Sequence, residues 1–194
     1  PDLVSMMIHS EATRDMTPQE YLGNLILLIV GGNDTTRNSM SALPIVNARW
    51  PDEYRKVAAA RALIANATQE LIRWQTPLAH MRRTALEDHE IGGRTIRAGD
   101  KVVLWYMSAN RDEAVFADAD RFVADRDNAR RHLAFGFGIH RCVGARLAEL
   151  QLATLFEALL DRGLMPVETG DPVRVDNCFV HGYCRLPARL ERLT

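Results

Sequence analysis

The chain has 194 residues, 24 basic side chains against 25 acidic ones, a formal charge of −1 and 47 % hydrophobic residues. That balance belongs to an ordinary folded domain, and it offers nothing to nucleic acid, an anionic membrane surface, a collagenous repeat or a disordered tail. The longest apolar run, Leu25 to Val30, is far shorter than the roughly 20 residues of a membrane span.

Cys142, Cys178 and Cys184 are odd in number and irregularly spaced, so no disulfide framework is expected and a reducing, cytoplasmic setting is. Pro1-Asp2-Leu3 carries no starting Met, basic segment or signal-peptide core, so export is not expected either.

Thr17-Pro18-Gln19-Glu20 opens the first strong element, with a capping hydroxyl, a proline at the first helical position and a carboxylate three residues after the cap. The helix continues through Leu22, Leu25, Ile26, Leu28, Ile29 and Val30, apolar nearly all round, which predicts burial. It then carries Gly31-Gly32-Asn33-Asp34-Thr35-Thr36, residues that each cost a helix interior roughly 0.5–1 kcal/mol, so helix stability did not select them. Pro44, near its end, is expected to kink or stop it.

Helices are predicted over Pro51 to Ala59 and from about Ala62 to Trp74, the second stopped by Pro77. Thr84 to Trp105 reads as strands, with turns at Gly92-Gly93 and Ala98-Gly99-Asp100. An irregular stretch from about Asn110 to Arg141 precedes a helix opened by Cys142-Val143-Gly144. Its stripe of Leu147, Leu150, Leu152, Leu155, Phe156 and Leu159 predicts a buried face ending at Gly163. Short strands are expected at Val173–Val175, Phe179–Val180 and Tyr183–Leu186, with Gly182 at a turn. The class is α+β and mainly helical.

Three segments carry candidate chemistry. In Phe135-Gly136-Phe137-Gly138-Ile139-His140-Arg141-Cys142-Val143-Gly144, a cysteine stands at a helix N-terminus, where unpaired N–H groups and the helix dipole favour thiolate. Glycines there allow tight backbone turns and the approach of a flat ligand, and Phe135 can shield the sulfur. In Gly31 to Thr36, the missing side chains leave room for a small ligand beside a hydroxyl donor, Thr35, and a carboxylate, Asp34. Glu70-Leu71-Ile72-Arg73 is by itself an ordinary i, i+3 ion pair.

Phe-x-x-Gly-x-x-x-Cys-x-Gly resembles the haem loop of the cytochrome P450 monooxygenases, and the other two segments resemble the family's Glu-x-x-Arg helix and oxygen-binding groove, in the family's order. The resemblance implies that residues 1–194 are a partial domain, the C-terminal half of the fold without its N-terminal half. It implies haem b held by Cys142 as thiolate ligand to iron. Phe135, Gly136 and Gly144 would build the loop, and Arg83, His132 and His140 would meet the propionates. Asp34 and Thr35 would relay protons, and Glu70, Arg73 and Arg121 would form a buried structural triad.

Ile29, Val30, Asn33, Leu78, Ala79, Phe179 and Val180 would face substrate. The segments around Asn33–Met40, Arg73–Arg83 and Gly136–Cys142 are most similar to soluble bacterial terminal hydroxylases of medium-chain alkanes and fatty acids. Electrons from a ferredoxin and its reductase, O2 as oxidant and a hydrophobic substrate follow from that resemblance, with Arg130, Arg131, Arg141 and Arg146 expected near the docking face. A peroxide-driven peroxygenase and a non-catalytic haem-binding fragment are the alternatives. Zinc at His132, His140 and Cys142 lacks a fourth ligand at usual spacing.

Overall fold

The computed structural model describes residues 2–193. Its long axis is α2, Pro18–Arg49, preceded by the short α1, Leu3–His9. The expected capping box closes α2: the Glu20 amide donates to Thr17 Oγ1 at 3.3 Å and the Thr17 amide to Glu20 Oε2 at 2.9 Å. Of the two outcomes expected at Pro44, a kink or a stop, the stop does not occur: the helix runs on to Arg49. The turns around it are fixed by burial of Ala42, Leu43, Ile45 and Val46, and by Asn47 Nδ2 donating to the Pro166 carbonyl at 2.9 Å.

The predicted burial of α2 holds only for its C-terminal half, from Asn38 onward, which packs on α3 (Pro51–Ala59), α4 (Ile64–Gln75), α6 (Ala145–Asp161) and β5 (Leu164–Glu168). Leu22, Ile26, Leu27, Ile29 and Val30 are all more than half exposed, because no described element covers that end of the helix. The stripe on α6 is likewise shifted. Leu152, Phe156 and Leu160, one turn apart, are buried, whereas Leu147 and Leu150 face outward.

Among the described residues the strands form four antiparallel pairs. β1 (His80–Thr84) pairs with β4 (Lys101–Trp105), and β2 (His89–Ile91) with β3 (Arg94–Ile96). The first of these begins before the predicted Thr84. A four-residue helix, α5 (Tyr106–Ala109), follows β4. β5 pairs with β8 (Ala188–Arg192), a pairing that Pro166 in mid-strand disguises in the sequence. β6 (Val173–Arg174) pairs with β7 (Tyr183–Arg185), and the Phe179–Val180 region contributes a single bridge between Leu78 and Val180.

Helix α4 is the centre. Every residue from Ala67 to Gln75 is buried, including Glu70 and Arg73 at 0 % exposure. Leu71 and Ile72 join Leu43, Val46, Leu152 and Phe156 in one core, with the rings of Tyr54 and Phe156 stacked at 6.1 Å. The Tyr54 hydroxyl donates to the Leu164 carbonyl at 2.8 Å, and burial pushes its pKa up to about 12.

Candidate functional site

The buried ion pair on α4 is the first part of the site's scaffold. Arg73 grips Glu70 with two parallel bonds, Nε to Oε2 at 2.7 Å and Nη2 to Oε1 at 2.9 Å. Its remaining donors reach the carbonyls of Asn110 (2.7 Å), Ala119 (2.7 Å) and Arg121 (3.0 Å). A solvated i, i+3 pair does none of this. One guanidinium closes the irregular segment around α4, satisfying carbonyls that burial would otherwise leave unpaired.

The third side chain of the cluster is Arg126, not Arg121. Arg126 Nε donates to Glu70 Oε1 at 2.9 Å, whereas the Arg121 side chain, half exposed, points to Glu53 at 3.5 Å. Arg121 supplies only its carbonyl to Arg73 and Arg126. The two arginines stand five residues apart in one irregular segment, and the path of that loop decides which reaches the carboxylate.

From this cluster the structure leads to the cysteine. Asn110, fully buried, gives its carbonyl to Arg73, donates from Nδ2 to Thr76 Oγ1 at 2.8 Å and accepts the Leu133 amide at Oδ1 at 2.7 Å. Leu133 begins the cysteine loop, so Asn110 ties that loop to α4. In the sequence its one signal is the polar run Asn110-Arg111-Asp112 after an apolar strand, too little to mark a structural role.

The loop folds back on itself through the Cys142 amide, which donates to the Phe135 carbonyl at 2.8 Å. Gly136 sits at φ +70°, and a Cβ there would lie 3.2 Å from the Tyr106 hydroxyl, so both conformation and space call for glycine. Helix α6 begins immediately afterwards with Gly144 as its cap. Cys142 is an exposed, free thiol, and Phe137, Ile139 and Val143 around it are 84 %, 96 % and 88 % exposed. Within one loop the chain thus exposes three large apolar side chains and a thiol, a set whose chemistry fits a flat apolar ligand with a thiolate-binding metal.

His140 is exposed on the 3-10 turn Gly138–His140. Arg83, half-buried on β1, donates to the neighbouring Arg82 carbonyl at 2.9 Å and is in no ion pair among the described residues. His132 is different. It is buried, its Nε2 lies 3.1 Å from Gln69 Oε1, and its Nδ1 accepts the Ala134 amide at 3.2 Å, so both ring nitrogens serve the protein. Burial, with help from Arg141 and Arg73, pulls its pKa down to about 4 and keeps the ring neutral. Among the described residues no three His, Cys, Asp or Glu side chains gather where they could hold an ion directly.

On α2, a Cβ added to Gly31 or Gly32 would meet nothing within 4 Å, so packing inside this chain does not require glycine there. Thr35 Oγ1 donates to the Gly31 carbonyl at 2.6 Å, and Asp34 pairs with Arg37 at 3.0 Å. Ile29, Val30 and Asn33 are exposed on the same stretch. Ala79 and Phe179 are joined by an amide–carbonyl bond at 2.8 Å, beside the Leu78–Val180 bridge, so these four expected substrate contacts form one patch.

An exposed thiol bracketed by Gly136 and Gly144 at the start of α6 is thus tied through Asn110 to the buried Glu70–Arg73 pair. The sequence profile described as Cytochrome P450 matches residues 59–177. Over 163 residues the chain is 47 % identical to linalool 8-monooxygenase of Pseudomonas putida, covering 84 % of this chain and 40 % of that protein. It is 40 % identical over 191 residues to methyl-branched lipid omega-hydroxylase of Mycobacterium tuberculosis, covering 96 % of this chain and 44 % of that protein. The solved cytochrome P450-153 from Novosphingobium aromaticivorans superposes with a TM-score of 0.93 at 57 % identity, covering 98 % of this chain and 48 % of that one.

The chain belongs to the cytochrome P450 family. It spans less than half the length of each of these three relatives. Members of the family hold haem b through a cysteine thiolate.

Proposed function

We propose that residues 1–194 form the haem-binding half of a monooxygenase domain that hydroxylates the terminal carbon of a medium-chain alkane or fatty acid. The observation that carries this reading is Cys142: a free, exposed thiol on a turn locked by its own amide and by Gly136, rooted through Asn110 in the buried charge cluster. Two relatives named as a monooxygenase and an omega-hydroxylase support the reaction class. The balanced reaction is R–H + O2 + two electrons + two protons giving R–OH + water.

Cys142 would hold the haem iron, and the haem would supply the oxygen-activating centre. Phe135 and the loop glycines would keep the sulfur in place, and His140 and Arg83 would meet the propionates, with His132 as a neutral support beneath the loop. Gly31 and Gly32 leave space on α2 for a diatomic molecule. Thr35 turns its hydroxyl from the Gly31 carbonyl toward that space to donate a proton, and Asp34, paired at the surface with Arg37, connects the hydroxyl to solvent. Ile29, Val30, Asn33, Leu78, Ala79, Phe179 and Val180 hold the hydrocarbon.

Electrons come from an acidic ferredoxin fed by its reductase. The exposed Arg130, Arg131 and Arg141 line one open recess of about 280 Å3 beside the cysteine loop, which suits a partner of opposite charge. The test is turnover of n-octane and dodecanoic acid by a full-length polypeptide carrying this chain, given NADH, ferredoxin and reductase, or hydrogen peroxide alone. Terminal alcohol formed with NADH is the expected result. Product with peroxide only would make the protein a peroxygenase, and no product with either would contradict the reading.

A further inference from the structure

We propose that Gln75 and Asn38 are positioning residues that set the seat of the 177–183 hairpin relative to the Gly31–Thr35 segment, and so select which carbon of the substrate is oxidised. This rests on the reading of Phe179 and Val180 as substrate contacts. Gln75 is fully buried at the end of α4 and aims its polar groups at one stretch of chain. Its Nε2 donates to the His181 carbonyl at 2.7 Å, its Oε1 accepts the Tyr183 hydroxyl at 3.2 Å, and its backbone carbonyl accepts His181 Nδ1 at 2.6 Å.

The same stretch runs along residues 77–79. The His181 amide donates to the Pro77 carbonyl and the Ala79 amide to the Phe179 carbonyl, each at 2.8 Å. Phe179 and Val180 are therefore held from behind by Gln75 and from the side by the strand that continues to Arg83.

The other end rests on α2. Asn38 is buried, three residues beyond Thr35, or one helical turn. Its Oδ1 accepts the Tyr183 amide at 3.3 Å. A Cβ on Gly182 would lie 2.4–2.6 Å from the Asn38 amide atoms, so the hairpin backbone presses directly on that side chain.

Asn38 Nδ2 has no hydrogen-bond partner among the described residues. The side chain thus keeps its bond to the Tyr183 amide at the cost of one buried donor left unpaired. The amide is kept where it sets one spacing, between the helix that handles oxygen and the loop that holds the hydrocarbon. Adjacent carbons of a chain differ by one bond length, and a misplacement of about 1 Å changes rates by about a hundredfold.

The experiment uses a full-length polypeptide carrying this chain, loaded with haem, with n-octane as probe and the ratio of 1-octanol to 2-octanol as readout. Gly182→Ala and Gln75→Leu should each move the ratio at least about threefold while the carbon-monoxide spectrum stays that of a thiolate haem. Amide exchange at His181 and Tyr183 should rise about tenfold in Gln75→Leu. Adding Asn38→Ala to Gly182→Ala removes the clash and should return the ratio to within about twofold of the parent, which a general loss of stability would not do.

An unmoved ratio in Gly182→Ala, or a double variant no closer to the parent than the single, overturns the proposal. If Gly182→Ala takes up no haem, Asn38→Ala, which adds no volume, decides in its place, and an unmoved ratio there is equally fatal. A parent protein without the thiolate spectrum, or without octane oxidation, would instead overturn the proposed function and this inference with it.

Discussion

Replacing Glu70 by glutamine keeps the volume of the side chain and removes the charge that two buried guanidinium groups share. Glu70 Oε1 accepts three donors, Arg73 Nη2 at 2.9 Å, Val123 N at 3.0 Å and Arg126 Nε at 2.9 Å, while Oε2 accepts Arg73 Nε at 2.7 Å. The least costly glutamine rotamer gives its carbonyl to the three and turns its NH2 against Arg73 Nε, donor against donor. That forfeits one charge-assisted bond, about 1.5–3 kcal/mol. It also leaves Arg73, at 0 % exposure, and Arg126, at 8 %, without a counter-charge.

Breaking a buried pair in this way costs about 3–5 kcal/mol, a large share of the 5–15 kcal/mol that holds a typical domain together. Urea unfolding of a full-length polypeptide, followed by circular dichroism, measures the loss. A change under about 1 kcal/mol would show that the charge is dispensable and that the cluster is held by its carbonyl contacts alone.

Arg126→Met should cost about 3–5 kcal/mol, because its buried ion pair with Glu70 and its bonds to the carbonyls of Ala117, Asp118 and Arg121 go together. Arg121→Ala should cost less than about 1 kcal/mol, since its half-exposed side chain makes only a 3.5 Å contact with Glu53; equal losses would restore Arg121 to the cluster. His132, neutral in the fold with its pKa near 4 against an ordinary 6.5, is protonated first in the unfolded chain. Its contribution is complete above about pH 6.5 and is lost as pH falls toward 4, and His132→Gln should flatten that fall by up to about 1.4 kcal/mol per pH unit. An unchanged pH profile would contradict its burial as a neutral ring.

The 194-residue polypeptide expressed by itself should run as aggregates on size exclusion. Leu22, Ile26, Leu27, Ile29 and Val30, each more than half exposed, leave roughly 4–8 kcal/mol of burial unmade. A monodisperse monomer would contradict this.

The parts of the fold legible in the sequence were those governed by local rules. The capping box of Thr17 and Glu20 and the proline at the start of α3 mark helix starts through backbone groups a few residues away. The Gly136 turn and the Gly144 cap that flank Cys142 are readable for the same reason, since each is set by residues close together in sequence. Arg126 and Asn110 were not, because their partners on α4 are brought to them by the path of an irregular segment. The N-terminal half of α2 departs from its pattern for a related reason: an apolar face implies a covering element, and none of the described elements covers it. Pro44 and Pro166 lie inside a helix and a strand that local preference alone would end and that packing holds.

The central claim is that Cys142 holds haem iron as a thiolate. Its direct measurement is the absorption spectrum of the reduced, carbon-monoxide-bound full-length polypeptide, compared among the parent, Cys142→Ser and Cys178→Ser. The parent and Cys178→Ser should show the strongly red-shifted Soret band of thiolate-ligated haem, and Cys142→Ser should lose it. A red-shifted band that survives in Cys142→Ser, or one that disappears in Cys178→Ser, would contradict the account.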